Sequence, residues 1–256
     1  MNRSVLLSGL LVLCLALQNI TFADDKAPAK ETEPITEIML KRTSCYGPCP
    51  VDEVTLKPDG TAAYTGQQYT ARVGQYKGAI HDYEFGPLAR WIESNSFFEL
   101  EESYGMANPD GANEIVSVVR GDQRKTITNH MENSPVLWGI ERVILGAASD
   151  IKWEPESSGI RGNVFWEPRT SSNLQGKLTL RPALNEAVVV RRVDGKQDFR
   201  FFTDKRGTFE IPLLPGTYTI EFPINYSIEQ KTTPQQTVIV QVDKFSTDNF
   251  MVHWPT

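Results

Sequence analysis

The sequence predicts an α+β domain, with an antiparallel sheet and two helices, followed by an all-β sandwich. Three observations carry that expectation. Apolar residues recur at spacings of three and four in Phe85-Leu88-Ala89-Ile92 and again in Leu137-Ile140-Val143-Ile144-Ala147. From Ile160 onward the chain shows only strand-like runs separated by turn residues. From Thr203 onward, Phe209, Ile211 and Leu213 alternate before a Pro215-Gly216 turn, and Tyr218, Ile220 and Phe222 alternate after it.

The N-terminal segment precedes any predicted core. Residues 1–23 have the layout of a secretory signal peptide: Arg3, an apolar run from Val5 to Leu17, and small residues at Thr21 and Ala23 of Thr21-Phe22-Ala23. Ser8, Gln18 and Asn19 keep the apolar run short of the ~20 residues a membrane span needs. Leu13 before Cys14 does not fit a lipid-attachment box. Residues 24–34 are charged and Pro-containing, and read as a flexible tether. The expected location is extracytoplasmic, periplasmic or secreted, without a stable membrane span.

Residues 35–152 make up the first predicted domain. Ile35, Ile38 and Leu40 suggest a strand, Cys45 to Pro50 a turn, and Val51, Val54 and Leu56 a second strand. Pro58-Asp59-Gly60 reads as a hairpin turn leading to a third strand from Ala62 to Tyr69 and a fourth from Ala71 to Tyr76. A helix is expected from near Asp82 to a stop at Asn95. A loop through Asn108-Pro109-Asp110-Gly111 leads to a strand at Ile115–Val119, which turns at Gly121-Asp122 into Arg124–Thr128. The second helix begins near Pro135, where the first turn tolerates proline.

Residues 153–158 lack apolar periodicity and read as a linker to a second domain, residues 159–256. Strands are expected at 160–164, 176–180, 187–193, 199–203, 208–213, 217–222 and 236–242, with an edge strand from Phe245 to Trp254. About 95 residues in seven or eight strands is the size of one immunoglobulin-like sandwich.

The net charge of −6 and the lack of a Lys/Arg run argue against a nucleic-acid partner. Cys45 and Cys49 are the only cysteines beyond the signal segment. Gly47-Pro48 can turn the chain so that a structural disulfide forms. The redox alternative has three residues between the thiols, where the thioredoxin motif has two and opens a helix. A zinc reading needs further ligands. His81, His130 and His253 stand at no metal-ligand spacing, and no Gly-x-Ser-x-Gly elbow accompanies them. Asp59, Asp110 and Glu114 read as turn or strand-edge residues, and Glu99, Glu101 and Glu102 as a solvated acidic loop. Trp153, Trp166 and Trp254, with Tyr218 and Tyr226, either line a sugar- or peptide-binding face or cover the core and the domain junction.

Two resemblances cover most of the chain after the tether. Cys45-Tyr46-Gly47-Pro48-Cys49-Pro50, Asp59-Gly60 with Tyr64 and Gly66, then Phe97…Leu100…Tyr104 and Pro135…Leu137 resemble an exported bacterial domain of unknown function spanning about residues 36–148. Gly159-Ile160-Arg161-Gly162-Asn163-Val164, Thr203-Asp204…Gly207-Thr208-Phe209 and Leu214-Pro215-Gly216-Thr217-Tyr218 resemble the carboxypeptidase-regulatory-like, prealbumin-like sandwich family. That resemblance implies a non-catalytic add-on domain. Lys177, Glu221 and Asn249 are the residue types of the isopeptide cross-links some bacterial surface sandwiches carry.

No catalytic, cofactor or metal motif stands out, so the expected function is non-enzymatic binding or scaffolding in the cell envelope, with a protein or polysaccharide partner. The alternatives are a thiol-redox or other envelope enzyme using Cys45/Cys49, and a cell-wall polysaccharide binder. Tyr46 and Tyr104, on the loops 45–50 and 102–113, are the candidate partner-binding side chains.

Overall fold

The computed structural model describes residues 33–108, 110–130, 134–166, 180–223 and 235–252. The first part of the chain lays down β1 (Ile35–Arg42), β2 (Val51–Leu56), β3 (Thr61–Gln68) and β4 (Gly74–Ala79) as an antiparallel meander. There follow α1 (Asp82–Ser94), β5 (Ser103–Tyr104), the hairpin of β6 (Asn113–Arg120) and β7 (Gln123–His130), α2 (Pro135–Asp150) and β8 (Glu154–Pro155). The sheet order is β5-β7-β6-β1-β2-β3-β4-β8, with only the short β5–β7 pairing parallel.

Both helices cover one face of this sheet, and their ends are set locally. The His81 N–H donates to the Glu84 carboxylate at 3.0 Å at the start of α1, and Asn95 Nδ2 donates to the Trp91 carbonyl at its end. Ser134 caps α2 by accepting from the Leu137 N–H, and Pro135 takes the first position, where no donor is needed. The helices bury Phe85, Leu88, Ile92, Leu137, Ile140 and Ile144 against Ile38, Leu40, Val54, Leu56, Val116 and Val118. The expected stripe of α2 needs correction. Val143 faces outward and Ala147 is half-buried, while Ala148 and the fully buried Glu141 take inward places, as i, i+4, i+7, i+11 from Leu137 requires.

The fourth strand also differs from expectation. It starts at Gly74, and residues 69–73, divided between two expected strands, form a loop. Tyr69 adopts a left-handed backbone, φ 53°. The loop folds back over Gly66, where a Cβ would lie 1.8 Å from the Arg72 carbonyl oxygen, so only glycine admits it.

The second part contributes β9 (Gly159–Trp166), β10 (Arg181–Pro182), β11 (Ala187–Arg192), β12 (Asp198–Phe202), β13 (Thr208–Pro212), β14 (Gly216–Glu221), β15 (Gln236–Val240) and β16 (Phe245–Val252). In one four-stranded sheet β9 pairs antiparallel with β10 and β13 and parallel with β16; the other runs β12-β11-β14-β15. Ile160, Val164, Ile211 and Phe250 from the first meet Val188, Val190, Phe199, Tyr218 and Ile220 from the second in one core. The turn at Pro215-Gly216 joins strands of different sheets, β13 and β14. It carries the chain from one sheet to the other, because Leu213 points into the core and Pro215 has no N–H to continue a ladder. Of the strand expected at 176–180, all but Leu180 lies outside the described residues.

Residues 33–256 cluster as one unit. Glu154–Pro155, in the expected linker, add β8 to the edge of the first sheet beside β4. Gln75, 5% exposed, ties the two parts: its Oε1 accepts from the Leu214 N–H at 2.8 Å and its Nε2 reaches Gln197 Oε1 at 3.3 Å. At Gly74, φ 119°, a Cβ would come within 2.7 Å of the Pro212 carbonyl oxygen, so the chains touch there through bare backbone. Val73 packs on the second core.

Candidate functional site

Strand register builds a polar row at one end of the first sheet. Arg42 lies opposite Asp52 on β2 and opposite Glu114 on β6, and Glu114 lies opposite Asn129 on β7. These four occupy the helix-covered face, two residues along each strand from the apolar row Leu40, Val54, Val116 and Ile127. Arg42 donates to Asp52 through Nε and Nη2 at 2.7 and 2.6 Å, and the Tyr64 hydroxyl donates to the same carboxylate at 3.0 Å. Burial, then the Asp52 charge, pushes the Tyr64 hydroxyl up to about 12, so it keeps its proton.

Helix α2 closes the other end of the row. Arg142 Nη2 donates to both Glu114 oxygens at 2.6 and 2.7 Å, and Asn129 Nδ2 donates to Glu141 at 3.0 Å. The Asn129 Oδ1 accepts from the Ser134 N–H at 3.1 Å, fixing the helix start. Burial first, then the hydrogen bond to Glu114, pushes the Glu141 carboxyl up to about 8. Glu114, expected at a strand edge in solvent, is 8% exposed and belongs to this row.

The row anchors the sheet end from which loops project at 43–50, at 69–73 and, before β6, at 110–112. Cys45 and Cys49 are joined by a disulfide, with Cα atoms 5.7 Å apart across the Gly47-Pro48 turn. The Tyr46 N–H on that turn bonds to the Asp110 carbonyl at 3.0 Å, while the Tyr46 side chain is 88% exposed. Tyr69 and, at the end of β12, Phe202 are also exposed, at 59% and 61%. Tyr46, Tyr69 and Phe202 stand around one cleft of about 1020 Å³, whose far wall carries Val189, Arg191, Arg200 and Glu221. Burial raises the Glu221 carboxyl, but hydrogen bonds from Gln235 and Arg191 outweigh it and hold the group ionised.

Two more cavities meet the same loop. One, of about 280 Å³, has the Arg42–Asp52–Tyr64 cluster as its floor and Trp153 as a wall. The other, of about 730 Å³, is lined by Arg72, Tyr76, Arg161 and Phe209. It shares Val73, Phe201 and Phe202 with the large cleft. Residues 69–73 therefore touch all three, yet neither Tyr69 nor Arg72 was singled out from the sequence. The available signal was the pair Gly66 and Gly74 bracketing a polar stretch, which marks a loop.

The candidate tyrosines part company. Tyr46 lines the large cleft, but Tyr104 is half-buried against the first core, its hydroxyl accepting from the Glu101 N–H at 3.1 Å. Its ring is only partly exposed, unlike that of Tyr46. His81 starts α1 and stacks on Tyr83, and His130 Nδ1 lies 2.7 Å from Asn113 Oδ1. Trp153 packs on Tyr64 and donates to the Ala148 carbonyl, Trp166 packs on the second core, and Tyr218 is buried in it. Asp59 accepts from Thr61 in the β2–β3 turn. Asn249 accepts from Asn163, on the other sheet from Glu221. Lys177, Tyr226, His253 and Trp254 lie outside the described residues. Among the described residues no three His, Cys, Asp or Glu side chains converge as metal ligands, and no helix is long and apolar enough to cross a membrane.

Residues 36–147 match the family described as Domain of unknown function (DUF6438). The match runs from β1 into α2 and so contains the bridged turn, the polar row and the loop 69–73. No curated protein matches the chain.

Proposed function

We propose that this is an exported bacterial protein that works by binding a partner in the cell envelope, an α+β module carrying an immunoglobulin-like, prealbumin-like sandwich behind it. The disulfide supports an oxidising compartment, in keeping with the signal-like first 23 residues. The sandwich reading is supported by two sheets sharing one core and by the Tyr218 hydroxyl, which donates to the Leu214 carbonyl at 2.8 Å where the chain crosses between sheets. That is the pattern of a tyrosine corner.

One observation carries the binding function: Tyr46, Tyr69 and Phe202, three exposed aromatic side chains from separate segments, surround a single large cleft. Exposed aromatic side chains clustered at a cleft are the usual anchors of recognition. The test is capture of partners from the envelope fraction by wild type and by the Tyr46→Ala/Tyr69→Ala variant. Recovery should fall at least tenfold while the melting temperature stays within about 2 °C, since neither ring is in a core. Equal recovery of the same partners would refute the assignment, as would substrate turnover proportional to the amount of purified protein.

A further inference from the structure

The cations around the loop 69–73 are all arginines; no lysine lines any of the three cavities. Most are committed. Arg42 pairs with Asp52, Arg161 with Glu210, Arg191 with Glu221 and Arg206 with Asp204. Two are not. Among the described residues, Arg72 makes no side-chain hydrogen bond or ion pair and is within electrostatic reach of the Tyr76 hydroxyl, and Arg200 is within electrostatic reach of Glu221 across β11, which Arg191 already holds. Both are exposed.

Their placement is specific. Arg72 lines the 730 Å³ cavity and Arg200 the 1020 Å³ cleft, and the boundary shared by these two spaces is apolar: the exposed Phe202, with Val73 and Phe201 half-buried on the second core. The result is a greasy saddle with an open guanidinium on either side, in a chain whose net charge is −6. A guanidinium fork matches a carboxylate in bidentate geometry, whereas a neutral sugar ring brings no charge to pair with either fork. We infer that the groove takes an acidic peptide segment of a partner protein, with an apolar side chain over Val73, Phe201 and Phe202 and a carboxylate on each side, one held by Arg72 and the other by Arg200. This rests on the binding function proposed above and names its ligand class.

The test pans a phage-displayed random heptapeptide library on the full chain and on its Arg72→Gln/Arg200→Gln variant, whose folding is checked by circular dichroism. Enriched peptides should carry Asp or Glu on both sides of an apolar residue. The synthesised peptide should bind the double variant at least tenfold more weakly, and its affinity for wild type should fall between 50 and 300 mM salt. Enrichment without acidic residues, or binding indifferent to both substitutions, overturns the inference. So does displacement of the peptide by polygalacturonate at equal carboxylate concentration, which would mean a response to polyanions in general. Neutral peptides that still depend on Tyr46 and Tyr69 would sink the acidic ligand alone and leave the cleft as a binding site. Failure to enrich any peptide also overturns it, and the envelope capture then judges the binding function separately.

Discussion

A glutamate with no exposed surface must either hold its proton or be fully paired, because an isolated buried carboxylate is too costly. Glu141 holds it: at neutral pH its carboxyl is protonated and bonded to Glu114, whose charge Arg142 compensates. The consequence is a stability term with a definite sign. Unfolded, a glutamate loses its proton near pH 4.3. In the folded protein the proton is retained up to about 8. The folded state thus binds more protons in between, so this contribution is complete below the unfolded value and is lost as pH rises through the folded one. Urea unfolding at pH 5 and pH 8.5 should show wild type losing more stability than Glu141→Gln, whose amide can still donate to Glu114 without titrating. Parallel pH profiles for the two proteins would contradict a protonated Glu141.

Among the elements, the bridged turn between β1 and β2 illustrates how local chemistry and long-range register cooperate. Arg42 and Asp52 are opposite each other because the turn returns β2 in register, and the disulfide closes the loop just beyond them. So short a loop constrains the unfolded chain only modestly, about 2 kcal/mol in the chain-entropy treatment. Intact mass of protein exported to an oxidising compartment should show no alkylatable thiol before reduction and two after it. Reduction should lower unfolding free energy by about 2 kcal/mol without loss of the fold. Two thiols free before reduction, or collapse of the structure upon it, would contradict this account. Neither cysteine adjoins a helix N-terminus; Cys49 leads through Pro50 into β2, so the helix field that lowers a redox thiol's pKa is not at hand.

For the whole molecule, the decisive feature is that two cores meet along a thin seam. The second core draws on β9 to β16, with Val73 as its neighbour from the first part. A fragment beginning at Ser157 should therefore fold, giving β-type circular dichroism and a cooperative melt at a lower temperature than the intact chain, since it loses Val73 and the Gln75 hydrogen bonds. An unfolded or aggregated fragment would show that the seam is indispensable to that core. The seam also explains why the large clefts exist at all: the outer face of β11 and β12 is held beside the loops of the first sheet, and neither part forms the cleft alone.

Much of this was legible in the chain itself. Alternation and three-four spacing located most strands and both helices, because each such pattern is the signature of a single buried face. The Gly47-Pro48 turn between two cysteines pointed to the bridge. Charged residues on a buried face were not legible: Glu114 and Glu141 look like surface residues until register and helix phase set them beside Asn129 and Arg142. The path of the chain through Leu213–Gly216 was not legible either, since an arch between sheets and a hairpin share the same alternation and the same turn residues. Local sequence determined most of the elements and most of their faces, whose causes lie within a few residues. Tertiary structure alone decided that Tyr46, Tyr69, Arg200 and Phe202 gather around one cleft, because juxtaposing them takes strand register and the packing of two sheets, neither of which is encoded in any short stretch of chain.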